Sequence, residues 1–191
     1  MADILKYEGK RFVVTGAASG MGGACAQILS DLGAEVYALD VQDIKASVHR
    51  SIKADLSSES SIDAALAEIE GQVDCLFNCA GLPGAPRFSA LDTCVVNIVG
   101  LRDLTEKLLP RINDGGAIAS ITSVAGMGYP NNQEKVHEFL DTPDFASGKA
   151  WCEANPEVAN GYLFSKQSII GYTYRRAAEL SQRQIRSEEH P

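Results

Sequence analysis

A tyrosine and a lysine stand four residues apart in the stretch YLFSK, at Tyr162 and Lys166. In a helix this spacing places both side chains on one face. A phenol, with a pKa of about 10, exchanges protons poorly at neutral pH, and an adjacent ammonium favours the phenolate. The pair therefore predicts proton transfer, with Tyr162 as general acid/base and Lys166 as its electrostatic support. If no other motif accompanied this pair, the alternative would be that both side chains simply lie on a solvated helix face.

Glycines crowd a second stretch, TGAASGMGG at residues 15–23, directly behind an apolar run at residues 12–14. A strand that leads into a glycine-rich turn and a helix points backbone N–H groups and the helix dipole at one spot, which suits a phosphate. Glycine at Gly16, Gly20 and Gly22 lets a pyrophosphate approach the backbone closely. The spacing is Gly-x-x-x-Gly-x-Gly and not Gly-x-Gly-x-x-Gly, and a plain packing turn is the alternative.

A carboxylate, Asp40, ends the next predicted strand, twenty residues after Gly20. At this position a carboxylate accepts hydrogen bonds from an adenosine ribose. Val41 and Gln42 follow it where an arginine would favour a 2′-phosphate, and the carboxylate would repel that phosphate. The sequence therefore favours NAD(H) over NADP(H), with a turn cap as the alternative role of Asp40.

The elements that must position these residues alternate along the chain. The pattern predicts strands at residues 12–15, 35–40, 51–53, 73–78 and 117–122, and helices at residues 22–32, 57–70, 91–112 and 162–184. Strands that alternate with helices indicate a parallel sheet covered on both faces, the doubly wound α/β architecture.

Length and charge argue against several classes of protein. The 191 residues fit a single domain, and 25 acidic against 17 basic residues give a formal net charge of −8, which argues against a nucleic-acid or anionic-membrane partner. No apolar run approaches the roughly 18 residues of a membrane span and the first ten residues show no leader, so a cytoplasmic protein is expected. The five cysteines have no metal-ligand spacing to the three histidines, so reduced thiols and no metal site are expected.

The chain resembles the short-chain dehydrogenase/reductase family, because several motifs of that family occur here in the family's order. TGAASGMG resembles the family's TGxxxGxG cofactor motif, NCAG at residues 78–81 its NNAG motif, and YLFSK its YxxxK motif. Ser123 follows the fifth predicted strand and Asn97 lies within the long helix, where the family's two other catalytic residues are expected. The resemblance spans about residues 9–183 and implies a Rossmann-like, dinucleotide-binding domain, NAD as cofactor, and interconversion of an alcohol and a carbonyl compound.

The resemblance also implies a role for each matched residue. Tyr162 would move the proton, and Lys166 would hydrogen-bond the nicotinamide ribose. Ser123 would hold the substrate oxygen, and Asn97 would anchor a water relay beyond Lys166, with a buried amide satisfied by backbone as the alternative. Asp55 and its neighbour Leu56 would contact adenine, with capping of the following helix as the alternative role of Asp55. The expected cofactor contacts are Gly16, Ser19, Gly20, Met21, Gly22, Asp40, Asp55, Leu56, Asn78, Ala80, Gly81, Tyr162 and Lys166.

The segment between Ser123 and Tyr162 is far longer than is usual in the family. This helical insertion, at about residues 127–160, resembles that of the 3α-hydroxysteroid dehydrogenase/carbonyl reductase branch and its coniferyl-alcohol dehydrogenase-like relatives. Helix starts are predicted at Thr142–Pro143 and Asn155–Pro156. The branch implies an apolar alcohol or ketone as the small-molecule substrate, hydroxysteroid-like or aryl.

Four aromatic residues of this insertion have two interpretations. They would either wall an apolar substrate slot or only pack the inserted helices together. These residues are Tyr129, Phe139, Phe145 and Trp151.

The last residues, IRSEEHP, depart from the family, which continues with a sixth strand, a Pro-Gly turn, a substrate loop, a helix and a seventh strand. SEEHP has no apolar residue and ends in proline, so no buried parallel strand is predicted there. The C-terminal strands are expected to be missing, and the strand before Ser123 to be an exposed edge. A truncated, nucleotide-binding short form without useful turnover is thus the alternative to an active enzyme, and a homodimer is implied only for a full-length C-terminus.

Overall fold

A six-stranded parallel sheet, buried and apolar in its central strands, forms the frame of the computed structural model, which describes residues 6–191. The prediction that no leader is present rests partly on residues 1–5, which lie outside the described residues. The strands are β1 (Arg11–Thr15), β2 (Glu35–Asp40), β3 (Arg50–Lys53), β4 (Val73–Asn78), β5 (Ile112–Ile121) and β6 (Arg186–His190). Their order is β3-β2-β1-β4-β5-β6, so the chain reverses direction across the sheet between β1 and β4. The doubly wound α/β fold is confirmed, and ligands of such sheets bind at this reversal.

Helices connect the strands as predicted, with one difference in the long helix. The helices are α1 (Gly20–Asp31), α2 (Glu59–Ala67), α3 (Ala90–Cys94), α4 (Leu101–Leu108), α5 (Gln133–Leu140), α6 (Phe145–Ala154) and α7 (Tyr162–Leu180). A π-helical segment, Val95–Gly100, joins α3 to α4, and a 3-10 turn ends this helix at Arg111. The predicted end at residue 112 is wrong, because Ile112 already begins β5.

The helices cover the two faces of the sheet unequally. Apolar side chains of α2, α4 and α7 pack on one face with Leu76 and Ile118, while α1 packs on the other face with Val14 and Val36. Within residues 6–191, the second face over β4 to β6 borders a cavity of about 600 Å³ lined by residues that include Phe77. The expected cover on both faces is therefore complete only over the first half of the sheet.

The last strand corrects the expectation for the chain's end. β6 pairs with β5 in parallel, and Thr122 N donates to His190 O at 2.6 Å. Ile185, which is buried directly before β6, fixes the start of the strand, and the polar side chains that follow stay half-buried or exposed. A strand at the rim needs backbone partners on one side only and no apolar face, so β6 and not β5 is the edge.

The inserted segment forms two helices, and their starts differ from the prediction. α6 begins at Phe145 because Asp144 caps it: its carboxylate accepts from Ser147 N at 2.8 Å, and the Ser147 hydroxyl completes a capping box. The Thr142 hydroxyl donates instead to Phe139 O at 2.7 Å, so Thr142–Pro143 lies before the cap. Asn155–Pro156 forms a single turn and no helix, with Ala159 N donating to Asn155 O.

A buried arginine of α4 holds the insertion in place. The Arg102 guanidinium donates to Thr142 Oγ1 at 2.9 Å, to Asp144 O at 3.1 Å, and to the carbonyls at the end of α5. No carboxylate binds it among the described residues, and burial lowers the pKa of Arg102. Arg175 on α7 donates to the same Leu140 carbonyl at 3.1 Å. The insertion is thus joined to α4 and α7 by hydrogen bonds to its backbone.

We expect Arg102→Met to lower the free energy of unfolding by about 3 kcal/mol, because several buried carbonyls and a hydroxyl lose their donor. Urea unfolding followed by circular dichroism measures this loss. Lys45→Met, at an exposed position, is the control and should change stability by less than about 0.5 kcal/mol. Equal losses in the two variants would contradict an anchoring role for Arg102.

Candidate active site

The turn between β1 and α1 needs glycine for two different reasons. Gly16 has a φ of +68°, and a Cβ there would lie 2.7 Å from Ala80 Cα, while a Cβ on Gly22 would overlap Gly16 O. These two glycines let backbone segments pack closely. Gly20 has a φ of +56° and no atom within 4 Å of an added Cβ, so it faces open space. Close packing thus accounts for glycine at Gly16 and Gly22, whose contact with a cofactor stays a prediction, and Gly20 leaves room for a ligand.

A cavity of about 610 Å³ opens beside this turn, at the carboxyl ends of β1, β2 and β4. It lies at the reversal of strand order, where an α/β sheet binds its ligands. Predicted residues that line it are Gly16, Ser19, Gly20, Met21, Gly22, Asp40, Asp55, Leu56, Ala80 and Gly81. Asn78, Tyr162 and Lys166 are absent from its lining.

Several lining residues were missed by the sequence analysis. Leu82, Phe88, Asp92 and Val96 come from the loop after β4 and from the helix that follows it. Gln42 comes from the end of β2. The signal for Leu82 was its position directly behind NCAG, whereas a periodicity of 3.6 residues gives no sign of Val96, which lies in the π-helical segment.

Asp40 joins the glycine turn to the end of β2. Its carboxylate accepts from Ala18 N at 2.9 Å through one oxygen and from Gln42 N at 2.8 Å through the other. A carboxylate has about four acceptor sites, so both oxygens keep capacity for a further donor. The cap role and a role toward a ribose are therefore compatible.

Asp55 and Asn78 occupy different surroundings. The Asp55 carboxylate accepts from Ser57 N at 2.8 Å in the cavity wall, while Ser58 caps α2, so the cap alternative for Asp55 is wrong. Asn78 is buried below the cavity and donates to Thr105 Oγ1 at 3.1 Å and to Ser120 Oγ at 3.3 Å. Its amide thus holds β4 to its neighbours.

Tyr162 is the first residue of α7 and is half-buried. The preceding Gly161 has a φ of +91°, and a Cβ there would lie 3.1 Å from Ala90 Cα, so only glycine allows this entry into the helix. Lys166 Nζ lies 5.5 Å from the centre of the Tyr162 ring. The spacing therefore places the two side chains on one face, as predicted.

The Lys166 ammonium is buried, with 5% of the residue exposed. It donates to Ile121 O at 2.7 Å, at the end of β5, and burial lowers the pKa of Lys166 to about 8. It is also within electrostatic reach of Cys79, a cavity residue whose own pKa burial raises to about 12. Two of its three N–H groups remain for other acceptors.

Ser123 and Asn97 differ in the hydrogen-bonding groups that they leave free. Ser123 Oγ accepts from Ala125 N at 3.2 Å, and its hydroxyl proton remains available. Asn97 is fully buried: its Oδ1 accepts from Leu82 N at 2.6 Å, and its Nδ2 donates to Leu82 O and to Ser165 Oγ. The Asn97 side chain therefore fastens the turn after β4 to α7, as its alternative interpretation had it, and the water relay stays a prediction.

The aromatic residues of the insertion pack among themselves. Phe139 is buried, with its ring 5.5 Å from Trp151 and 5.6 Å from Phe164. Tyr129 is buried too and bonds His137 through its hydroxyl at 3.0 Å. Phe145 is also buried, and none of the four lines the cavity described above. These contacts support the packing interpretation, and the apolar slot stays a prediction.

The described part of the chain has neither a membrane-spanning helix nor a cluster of metal ligands. Between residues 6 and 191, no helix has both the length and the apolar character that a bilayer crossing requires. In the same residues no group of three or more histidine, cysteine or acidic side chains is placed to hold a metal ion. The five cysteines are free thiols.

Comparison with known proteins gives a consistent result. A family model described as short chain dehydrogenase matches residues 10–134. Coniferyl-alcohol dehydrogenase of Pseudomonas sp. (strain HR199 / DSM 7063) is 33% identical over 178 residues, which cover 92% of this chain and 68% of that protein. Mitochondrial borneol dehydrogenase of Lavandula x intermedia is 27% identical, with 95% and 67% covered.

A solved structure extends the likeness to the fold. The 3-alpha-hydroxysteroid dehydrogenase from Pseudomonas sp. B-0831, complexed with NADH, gives a TM-score of 0.73 at 25% identity. The match covers 93% of this chain and 69% of that one. The chain thus spans about two thirds of the length of the relatives it matches.

Proposed function

The chain belongs to the short-chain dehydrogenase family, and on that premise we propose that it is an NAD(H)-dependent oxidoreductase. Its substrate would be an apolar secondary or aryl alcohol and the corresponding carbonyl compound. One observation carries the proposal: the loop after β4, which lines the cavity, passes close to Tyr162, since a Cβ on Gly84 would lie 3.4 Å from Tyr162 Cβ. The alcohols in the names of the relatives, coniferyl alcohol and borneol, support the substrate class.

The residues at the glycine turn fit a dinucleotide. Ser19 precedes α1 and makes no side-chain cap hydrogen bond, so backbone N–H groups of the first turn remain for a phosphate. Gly20 leaves open space beside them. Asp40 would accept from a ribose hydroxyl and repel a 2′-phosphate, which favours NAD(H). When bound, the cofactor would supply or accept the hydride.

The chain's own groups would manage the proton. Ser123 Oγ would donate a hydrogen bond to the substrate oxygen and stabilise the charge that develops there. Tyr162 Oη would give a proton to that oxygen in reduction and take it in oxidation. The Lys166 ammonium, 5.5 Å from the centre of the Tyr162 ring, would stabilise the charge that develops during proton transfer and hydrogen-bond the nicotinamide ribose with an N–H group that Ile121 O leaves free.

The cofactor preference is tested by Asp40→Asn, which keeps the shape of the side chain and removes its charge. We expect the affinity for NADH to fall about tenfold and the affinity for NADPH to rise, because a charged acceptor is lost and repulsion of the 2′-phosphate ends. Calorimetric titration with both cofactors measures the change. Asp43→Asn, an exposed carboxylate paired with Lys53, is the matched control. An unchanged ratio of the two affinities would exclude Asp40 as the discriminating group.

A second candidate function is nucleotide binding without useful turnover. It is favoured by one observation: the residues expected at the nicotinamide end, Tyr162 and Lys166, do not line the cavity. Titration with NADH, NADPH and AMP, run beside an NAD-linked assay on hydroxysteroids and aryl alcohols, separates the candidates. Similar affinity for NADH and AMP with no turnover would support nucleotide binding alone, whereas NADH binding with turnover would support the dehydrogenase.

A further inference from the structure

One side of α1 exposes apolar side chains to solvent. Met21 is 63% exposed, Ile28 59% and Leu32, the residue that ends the helix, 37%, while Cys25 among them is half-buried. Their spacing of four, three and four residues keeps them within an arc of about 60° on the helix surface. The same spacing forms the seam between two paired helices. We call these four residues the α1 stripe.

The α1 stripe borders an open groove on the same face of the sheet. Met21 and Cys25 line the cavity of about 600 Å³ over β4 to β6, together with Phe77. On β5 the floor of this groove consists of small side chains, Ala117 and Ala119, both half-buried. Between residues 6 and 191, α1 is the only helix that contributes to the lining. The groove therefore has room for a further helix, the element that normally covers such a sheet.

The groove differs from the rest of the surface in its charge. Its described lining has three basic and three acidic side chains, whereas the whole chain has a formal net charge of −8. Lys10 Nζ lies 3.2 Å from Asp74 Oδ1. Arg186 Nε lies 2.7 Å from Glu188 Oε1. The acidic excess thus lies outside the groove, and two copies of the chain can meet at the groove without net repulsion.

A two-fold axis that runs along the strands, between α1 and the groove, makes this surface complementary to itself. A second copy turned about that axis lays its α1 over the groove of the first copy, and the first does the same in return. The two helices then lie side by side and parallel, so each stripe residue faces its own copy. Nineteen described residues line the groove, and Ile28 and Leu32 extend the surface, which matches the roughly 20–30 residues that a standard interface takes from each partner.

We propose that two copies of this chain pair in parallel through the α1 stripe, with each α1 seated in the open groove of the other copy. The pairing buries the apolar side chains that a single copy exposes on α1 and supplies the helix that its groove lacks. It does not depend on the proposed function, because none of its contacts involves a substrate.

Sedimentation of the 191-residue chain tests the pairing. We expect the wild type to sediment at twice its monomer mass of 20.4 kDa at about 50 µM, since standard interfaces have micromolar or tighter dissociation constants. Ile28→Glu and Ile28→Lys each set like charges against each other across the axis and should weaken the dimer at least tenfold. An equal mixture of the two should restore it, which also shows that both variants fold. Met127→Glu, at an exposed residue outside the stripe, is the control and should stay dimeric.

Cys25 gives a second readout that is specific for the position. A short bismaleimide should join the two copies through this residue, and Cys25→Ser should abolish the covalent dimer. A wild type that stays monomeric at about 50 µM, or forms assemblies larger than a dimer, would overturn the proposal. A dimer that Ile28→Glu leaves intact would place the pairing on another face and overturn it as well.

Discussion

Tyr162→Phe lowers kcat about a thousandfold and leaves the affinity for NADH within about threefold. The substitution removes one oxygen, and with it the proton that Tyr162 would exchange with the substrate, while general acid/base catalysis contributes about 10²–10⁴ in rate. The ring keeps its place at the start of α7, 5.5 Å from Lys166 Nζ. Stopped assays of NADH absorbance measure the rate, and calorimetry measures the affinity.

Tyr174→Phe is the matched control on the same helix. Tyr174 is exposed, and its ring packs edge-on against Tyr129, so losing its hydroxyl should change kcat less than twofold. Turnover by Tyr162→Phe at the wild-type rate, with the control unaffected, would exclude Tyr162 as the general acid/base. The proton would then have to pass through another group.

Strands bounded by turn residues were predicted with the greatest accuracy. The ranges 35–40 and 73–78 coincide with β2 and β4, because each is a largely buried run that begins two residues after a glycine. β6 was not predicted, since pairing with β5 through its backbone requires no apolar side chain. A sequence pattern reports side-chain burial, so it detects central strands and overlooks a polar edge strand.

The site was predicted where one residue type is physically required. Gly16 is such a position, because its φ of +68° and its close packing against Ala80 exclude a side chain. The aromatic residues of the insertion allowed two interpretations, because a sequence does not show that Phe139 packs against Phe164 in the core. The burial of Lys166 was missed as well, because a lysine in a sequence carries no sign of how deeply the fold will enclose it.

Lys166→Met makes the protein more stable and less active. Burial brings the pKa of Lys166 to about 8, below the value of about 10.4 that lysine has in an unfolded chain. Below pH 8 the fold therefore encloses a charge at a cost of about 3 kcal/mol, from about 2.5 pKa units at about 1.4 kcal/mol each. Methionine removes that cost and loses one hydrogen bond to Ile121 O, worth about 1 kcal/mol. The net gain expected at pH 7 is about 1–2 kcal/mol.

The pH dependence identifies the cause of that gain. Between pH 8 and about 10.4 the unfolded chain binds more protons at this lysine than the native one, so the stability of the wild type rises with pH through that window. Lys166→Met should not show this rise, and urea unfolding at several pH values measures it. Lys53→Met, an exposed lysine paired with Asp43, is the control and should keep the rise.

Turnover should fall at least a hundredfold in Lys166→Met, because the cation whose Nζ lies 5.5 Å from the centre of the Tyr162 ring no longer supports the proton transfer. Greater stability with lost activity is the pattern expected of a group retained for chemistry at the expense of the fold. Equal stability of the two forms at pH 7, without a rise above pH 8, would mean that the surrounding dipoles fully compensate the buried ammonium. Lys166 would then be structurally neutral, and only its effect on kcat would connect it with Tyr162.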